Sequence, residues 1–322
     1  MGDPAGIGPE IILKSIARLR PSAQRSFLVI GDRFVLSKAA RDLRLKVAVN
    51  AVADSSALPV GRAGLNLLDL ANVRSRGFSY GADDCRFGAA ALEYIDRAIG
   101  LLMNGASGAL VTAPVNKATI ARAGADFIGH TEYLAGKAHV RKFAMMLIGG
   151  RMRVVLVTRH VALKEVPSRL TRESISDAIA LTHRALREQF GIARPRIGVA
   201  GLNPHAGDAG TFGDEEEAVI RPAVERSSRS IAGITGPRPP DVIFHEAYRG
   251  KYDAVVAMYH DQGLIPLKML YFEEGVNCTL GLPFIRTSPD HGTAFDIAGR
   301  GVANPRSMQE AMRIASELSS RP

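Results

Sequence analysis

The chain has 322 residues, 46% of them apolar, a formal net charge of +9 at pH 7 and only two cysteines, Cys85 and Cys278. This length suits two α/β lobes. No run approaches the roughly 18 to 20 apolar residues of a membrane span, no secretory signal is visible, and unpaired cysteines far from any CxxC motif suit reduced thiols in a cytoplasmic protein. The basic residues are scattered and mostly arginine, with no Trp and 6% aromatics, which argues against nucleic acid and fits anionic small ligands.

In chain order, the first feature is Met1-Gly2-Asp3-Pro4-Ala5-Gly6-Ile7-Gly8-Pro9-Glu10, a glycine-rich turn leading into a helix. Such a turn normally follows a strand, so the first strand either lies outside this sequence or is dispensed with. Phe27–Asp32 reads as a strand ending in a turn. From about Gly88 to Asn104, the residues Ala91, Leu92, Ile95, Ala98, Ile99 and Leu102 recur at helical spacing. Ala109–Thr112 is a second strand, closed by Ala113-Pro114. Arg153–Thr158 is a third. Thr171 is the expected N-cap of a helix whose stripe is Ile175, Ile179, Leu186 and Phe190, with Gly191 as its stop. Arg196–Leu202 is another buried strand. Gly236-Pro237-Arg238-Pro239-Pro240 reads as a stiff connector, with Val242-Ile243-Phe244 resuming as a strand, and Asp253–Met258 follows. The alternation predicts a mostly parallel sheet with crossover helices.

Three of these strands run out at a histidine: His160 after the 153–158 run, His205 after 196–202, and His260 after 253–258. In open α/β sheets ligands bind beyond the carboxyl ends of strands. Three imidazoles delivered there are the ligand set of a catalytic metal site with an open position. His139, His183 and His245 lack that context and read as ordinary surface or core histidines.

Longer motifs narrow the reading. Asp290-His291-Gly292-Thr293-Ala294-Phe295-Asp296-Ile297-Ala298-Gly299, continuing to Ala303-Asn304-Pro305, resembles the adenosine-binding loop of the isocitrate/isopropylmalate dehydrogenases. There His291, Gly292, Thr293, Asp296 and Asn304 would meet the cofactor, and an Asp at 296 favours NAD by accepting from the ribose hydroxyls and repelling a 2′-phosphate. Gly129-His130-Thr131-Glu132-Tyr133, Gly201–Gly207, Met258–Gly263 and Gly281–Ser288 together resemble the 4-hydroxythreonine-4-phosphate dehydrogenase family of pyridoxal phosphate synthesis, and the likeness runs from Gly2 to the last helix.

The resemblance implies an α/β fold of two α/β/α lobes with a cleft between them, as in the isocitrate/isopropylmalate enzymes. Residues 1–130 with about 275–322 would form the nucleotide lobe, and about 131–274 the metal, substrate and dimerisation lobe. It places the metal ligands on His160, His205 and His260, with the ion shared between the subunits of a homodimer. Substrate contacts fall on His130, Thr131, Lys268, Asn277 and Arg286; the candidates for general base are Lys268 and a metal-bound water, between which the sequence does not choose. The implied reaction is metal-dependent, NAD-linked oxidation of a secondary alcohol, 4-phosphohydroxy-L-threonine. Its product, 2-amino-3-oxo-4-(phosphooxy)butanoate, decarboxylates to 3-amino-2-oxopropyl phosphate. Three neutral imidazoles favour zinc, or cobalt, over magnesium, although the family tolerates several divalent ions. The competing readings are a 4-phospho-D-threonate or 4-phospho-D-erythronate dehydrogenase of the same family, and a zinc hydrolase or lyase using the same histidines. No membrane or nucleic-acid partner is expected.

Overall fold

The structure, a computed structural model, describes residues 1–52, 62–106 and 108–321. The strands are β1 (Leu28–Gly31), β2 (Val49–Ala51), β3 (Leu65–Asp69), β4 (Ala109–Val111), β5 (Ala144–Gly149), β6 (Met152–Leu156), β7 (Ile197–Ala200), β8 (Ile234–Arg238), β9 (Ala254–Ala257), β10 (Val276–Leu280) and β11 (Ile285–Pro289). The chain divides into two compact units, Met1–His139 with Arg286–Ser316, and Val140–Ile285 with the residues from Glu317 onward. Both are α/β.

In the first unit the opening turn leads into the helix Gly8–Arg18, with Pro9 in its first turn and Glu10 and Arg18 placed to suit the helix dipole. Ile11, Leu13 and Ile16 bury its inner face against Leu36, Leu65, Leu67, Met308 and Met312. Each such side chain contributes roughly 1.5–3 kcal/mol by leaving water. β1, β3 and β2 form a parallel sheet in that order. The helix foreseen near residues 88–104 runs Cys85–Met103, capped by Asp84, whose side chain accepts from the Arg86 N–H. Gly88 lets it approach the backbone at Thr119 so closely that a Cβ has no room.

In the second unit the strands lie in the order β10-β5-β6-β9-β7-β8. The expected parallel character holds from β6 to β8, whereas β10–β5 and β5–β6 are antiparallel. The antiparallel part follows from a tight hairpin: Gly149 pairs with Met152, leaving Gly150-Arg151 as the loop, and Gly150 takes φ 52°. A glycine there supplies the left-handed conformation that two-residue hairpin turns require. The helix Arg172–Glu188 begins at Thr171 as foreseen, with a capping box to Ser174, and buries Ile175, Ile179 and Leu186. Gly191 adopts φ 69° just beyond its end.

One stretch differs from the sequence reading. Residues 234–238, read in part as a connector, form β8, while Val242-Ile243-Phe244 lies in the helix Pro240–Tyr248 rather than a strand. Pro240 sits at the helix start, where its missing N–H costs nothing. Only Ile243, Phe244 and Ala247 of this segment are buried, an i, i+1, i+4 pattern that three apolar residues alone cannot distinguish from a strand. β10 also belongs with the second unit through its pairing to β5, so Asn277 is part of that sheet.

Candidate active site

β6 pairs with β9 and β9 with β7, all parallel, so their carboxyl ends share one edge of the second unit. His160, His260 and His205 follow those ends. His160 and His260 meet, with ring centroids 5.6 Å apart. Nδ1 of His260 lies 2.6 Å from Asp261 Oδ1. With the proton on Nδ1, this bond directs the Nε2 lone pair outward, the arrangement typical of a metal-ligating histidine.

His205 does not join the pair. Its ring packs beside Phe212, at 6.2 Å between centroids, and among the described residues no three His, Cys, Asp or Glu side chains of one chain converge to hold a metal ion. The cause is local: His205, Ala206, Gly207, Asp208 and Ala209 all take positive φ, between 45° and 82°. Each non-glycine residue in that left-handed turn costs on the order of 1–2 kcal/mol. Buried Glu216 stabilises the turn's entry, its Oε1 accepting from the Leu202 and Asn203 N–H groups at 2.7 and 2.8 Å and its Oε2 from Asn203 Nδ2 at 2.9 Å.

In the same unit Lys268 lies two turns beyond His260 on the helix His260–Tyr271, its Nζ 6.0 Å from the Phe272 ring centroid. Asn277 sits within β10, and its buried Oδ1 has no hydrogen-bond partner among the described residues. A buried, unanswered amide oxygen costs about 1–3 kcal/mol and marks a place for a ligand donor or a water.

The first unit holds the remaining expected contacts. His130 opens the helix His130–Lys137 behind Gly129. Among the described residues its Nε2 is buried without a partner, and its pKa lies well below the ordinary value because burial, then the Arg286 guanidinium, the N-terminal amine and Lys117, disfavour the charged ring. It is therefore a neutral imidazole at physiological pH. Thr131 is buried beside it in sequence, and Arg286 is 2% exposed, with Nη2 donating to Thr112 Oγ1 at 2.6 Å. Thr112 and Lys117 were not singled out from sequence, since neither stands in a motif of its own.

The glycine-rich loop also lies in this unit. His291 and Asp296 are exposed, and among the described residues no side chain or backbone fills the space a Cβ would take at Gly292. Thr293 O accepts from the Ile7 N–H at 2.9 Å, which ties the opening turn to the loop. Ala294 takes φ 41°. Buried Glu10 accepts from the Gly301 and Ala303 N–H groups, and Lys14 Nζ donates to both carbonyls and to Glu10. Asn304 Oδ1 accepts from the Arg306 N–H at 3.0 Å, at the start of the last helix.

Comparison with known proteins agrees with the likeness in the motifs. The family model described as pyridoxal phosphate biosynthetic protein PdxA matches residues 23–315. The chain belongs to the PdxA family. A 4-hydroxythreonine-4-phosphate dehydrogenase of Desulfosudis oleivorans is 48% identical over 98% of this chain and 93% of that protein. The crystal structure of the Klebsiella pneumoniae 4-hydroxythreonine-4-phosphate dehydrogenase superposes with a TM-score of 0.91 at 41% identity, covering 100% of this chain and 97% of that one. A terephthalate 1,2-cis-dihydrodiol dehydrogenase from Burkholderia xenovorans is more distant, at 29% identity and TM-score 0.68, covering 98% of this chain and 96% of that one. Among the described residues of this PdxA family member no helix is long and apolar enough to cross a membrane.

Proposed function

We propose that the chain is an NAD-dependent dehydrogenase that oxidises 4-phosphohydroxy-L-threonine at its C3 hydroxyl. The observation that carries this reading is the near full-length identity of 48% to a 4-hydroxythreonine-4-phosphate dehydrogenase, against 29% to the dihydrodiol enzyme. His130 Nε2 and Asn277 Oδ1, buried polar atoms without partners among the described residues at two of the expected substrate contacts, support it.

In this reading Arg286 offers its planar fork, and Lys268 a point cation, to the phosphate or carboxylate. Neutral His130, with Thr131 and Asn277, orients the amino and hydroxyl groups. The hydroxyl proton goes to a water or to Lys268 as a neutral amine, in which case Arg286 alone carries the anionic group. The oxidised product is a β-keto acid, 2-amino-3-oxo-4-(phosphooxy)butanoate, which loses CO₂ to give 3-amino-2-oxopropyl phosphate. When bound, NAD⁺ supplies the hydride acceptor, and a divalent ion, zinc foremost, supplies Lewis acidity toward the hydroxyl. The residues that would hold NAD are His291, Gly292, Thr293, Asp296 and Asn304, in what we assign as the nucleotide lobe.

His160 and His260 fit a divalent ion as two imidazole donors, one already oriented by Asp261. Among the described residues one chain brings only these two donors together, which supports a homodimer in which His205 or a neighbouring group of a second copy completes the set. Exposed Ile265, Met269 and Phe272, at i, i+4 and i+7 and 64%, 83% and 77% accessible, continue from His260 and suit burial against that copy. The cytoplasm is the assigned compartment.

The test follows NADH formation on 4-phosphohydroxy-L-threonine and on 4-phospho-D-threonate. The first substrate is expected to be preferred. A 100-fold or greater preference for the second, roughly 2.7 kcal/mol in transition-state binding, refutes the assignment.

A further inference from the structure

Where backbone pairing stops at the histidine-bearing edge, side chains take over. The last β6–β9 bonds are Val157 N–H to Ala257 O and Thr158 N–H to Met258 O, and Thr158 Oγ1 adds a second bond to the same carbonyl at 2.7 Å. Between β9 and β7 the register ends at Val199 opposite Val256. Two residues past it, Gln262 spans the gap. Its Oε1 accepts from the Met258 N–H at 2.7 Å, and its Nε2 donates to Gly201 O at 2.7 Å. The side chain is 8% exposed, so water competes poorly for either bond, and both ends of the amide are used.

Gln262 lies two residues after His260, and the carbonyl it holds lies four residues before His205. Thr158, two residues before His160, is tied to the same Met258. One amide therefore bridges the ends of β9 and β7, and Thr158 ties the end of β6 to the same Met258. The neighbouring side chains cannot substitute for it. Asp261 is exposed and engaged with His260, and Gly263 packs against Val154, Leu156 and Ala257.

We infer that Gln262 is a positioning residue for the metal site, fixing the β9 end that carries His260 beside His160 by tying it to the end of β7. This rests on the metal reading above. Residues behind metal ligands change affinity on the order of 10- to 100-fold when removed. The experiment titrates Zn²⁺ into the metal-free full chain by calorimetry and records the visible spectrum of the Co²⁺ form, for wild type, Gln262→Met and Gln262→Glu. His160→Ala serves as the ligand control. Thr182→Val, which removes a buried hydroxyl bond to Ala178 O within the Arg172–Glu188 helix, serves as a stability control.

Gln262→Met is expected to bind Zn²⁺ at least tenfold more weakly with an altered Co²⁺ spectrum. Gln262→Glu keeps the acceptor for the Met258 N–H but turns a second acceptor on the Gly201 carbonyl, and is likewise expected to bind Zn²⁺ at least tenfold more weakly. Thr182→Val is expected to lose thermal stability without losing affinity. If Gln262→Met fails to fold, Gln262→Glu decides alone. Wild-type affinity and spectrum in the folded Gln262 variants overturn this inference and leave the metal reading standing. Absence of saturable Zn²⁺ binding in wild type overturns both.

Discussion

Asp3 offers a quantitative test of the opening turn. It is fully buried, with Oδ1 accepting from the Ala5 N–H at 2.9 Å and Oδ2 from Thr119 Oγ1 at 3.4 Å. Burial pushes its carboxyl up from 3.8 to about 6, and the two hydrogen bonds offset that only in part. The folded state therefore holds this proton more tightly than the unfolded chain does. Stability from this group is fully present below pH 3.8 and is lost as pH rises through about 6. Two units at 1.36 kcal/mol each set the total at roughly 3 kcal/mol. About 1 kcal/mol of that is already lost at pH 4.5, where the unfolded carboxyl is mostly ionised. Asp3→Asn keeps an acceptor for Ala5 and abolishes the ionisation. Urea unfolding at pH 4.5 and 7.5 should show the variant gaining on wild type by about 2 kcal/mol more at the higher pH. A wild-type-to-variant difference that is the same at both pH values refutes the reasoning, because an unburdened carboxyl leaves no pH-dependent gap.

His160→Ala, His205→Ala and His260→Ala should each abolish metal-dependent turnover while far-ultraviolet dichroism stays near wild type; full metal occupancy with normal activity in any one removes that residue from the ligand set. Exposed Asp296, facing the ribose in the proposed site, should favour NAD⁺ over NADP⁺, since a carboxylate opposite a 2′-phosphate costs on the order of 1 kcal/mol. Asp296→Lys should narrow or reverse the ratio of kcat/KM values, and equal wild-type values for the two cofactors refute the placement.

How much was legible depended on how local the signal was. The helix Arg172–Glu188 was readable because its cap and buried stripe, Thr171, Ile175, Ile179 and Leu186, lie within a few turns of one another. Residues 234–244 were not, because a short apolar run fits either period and only packing of Ile243 and Phe244 against the sheet settles it. The β5–β6 hairpin carried its Gly-Gly signal in plain view, yet its effect, an antiparallel half to the sheet, depends on where β10 returns more than 100 residues later.

The same division runs through the functional residues. The sequence by itself determined the family, through long motifs such as Asp290–Gly299, and determined that His160, His205 and His260 each follow a buried strand, since strand, turn and histidine are consecutive in the chain. Tertiary structure alone decided which of them meet. Strand order β6-β9-β7 brings His160 to His260, and a left-handed turn braced by Glu216 sends His205 elsewhere. It also decided that Gln262 bridges two strand ends and that His130 is held neutral by burial and by Arg286. Strand order, burial and electrostatic neighbours are properties of chain segments far apart in sequence, and no local pattern of residues encodes them.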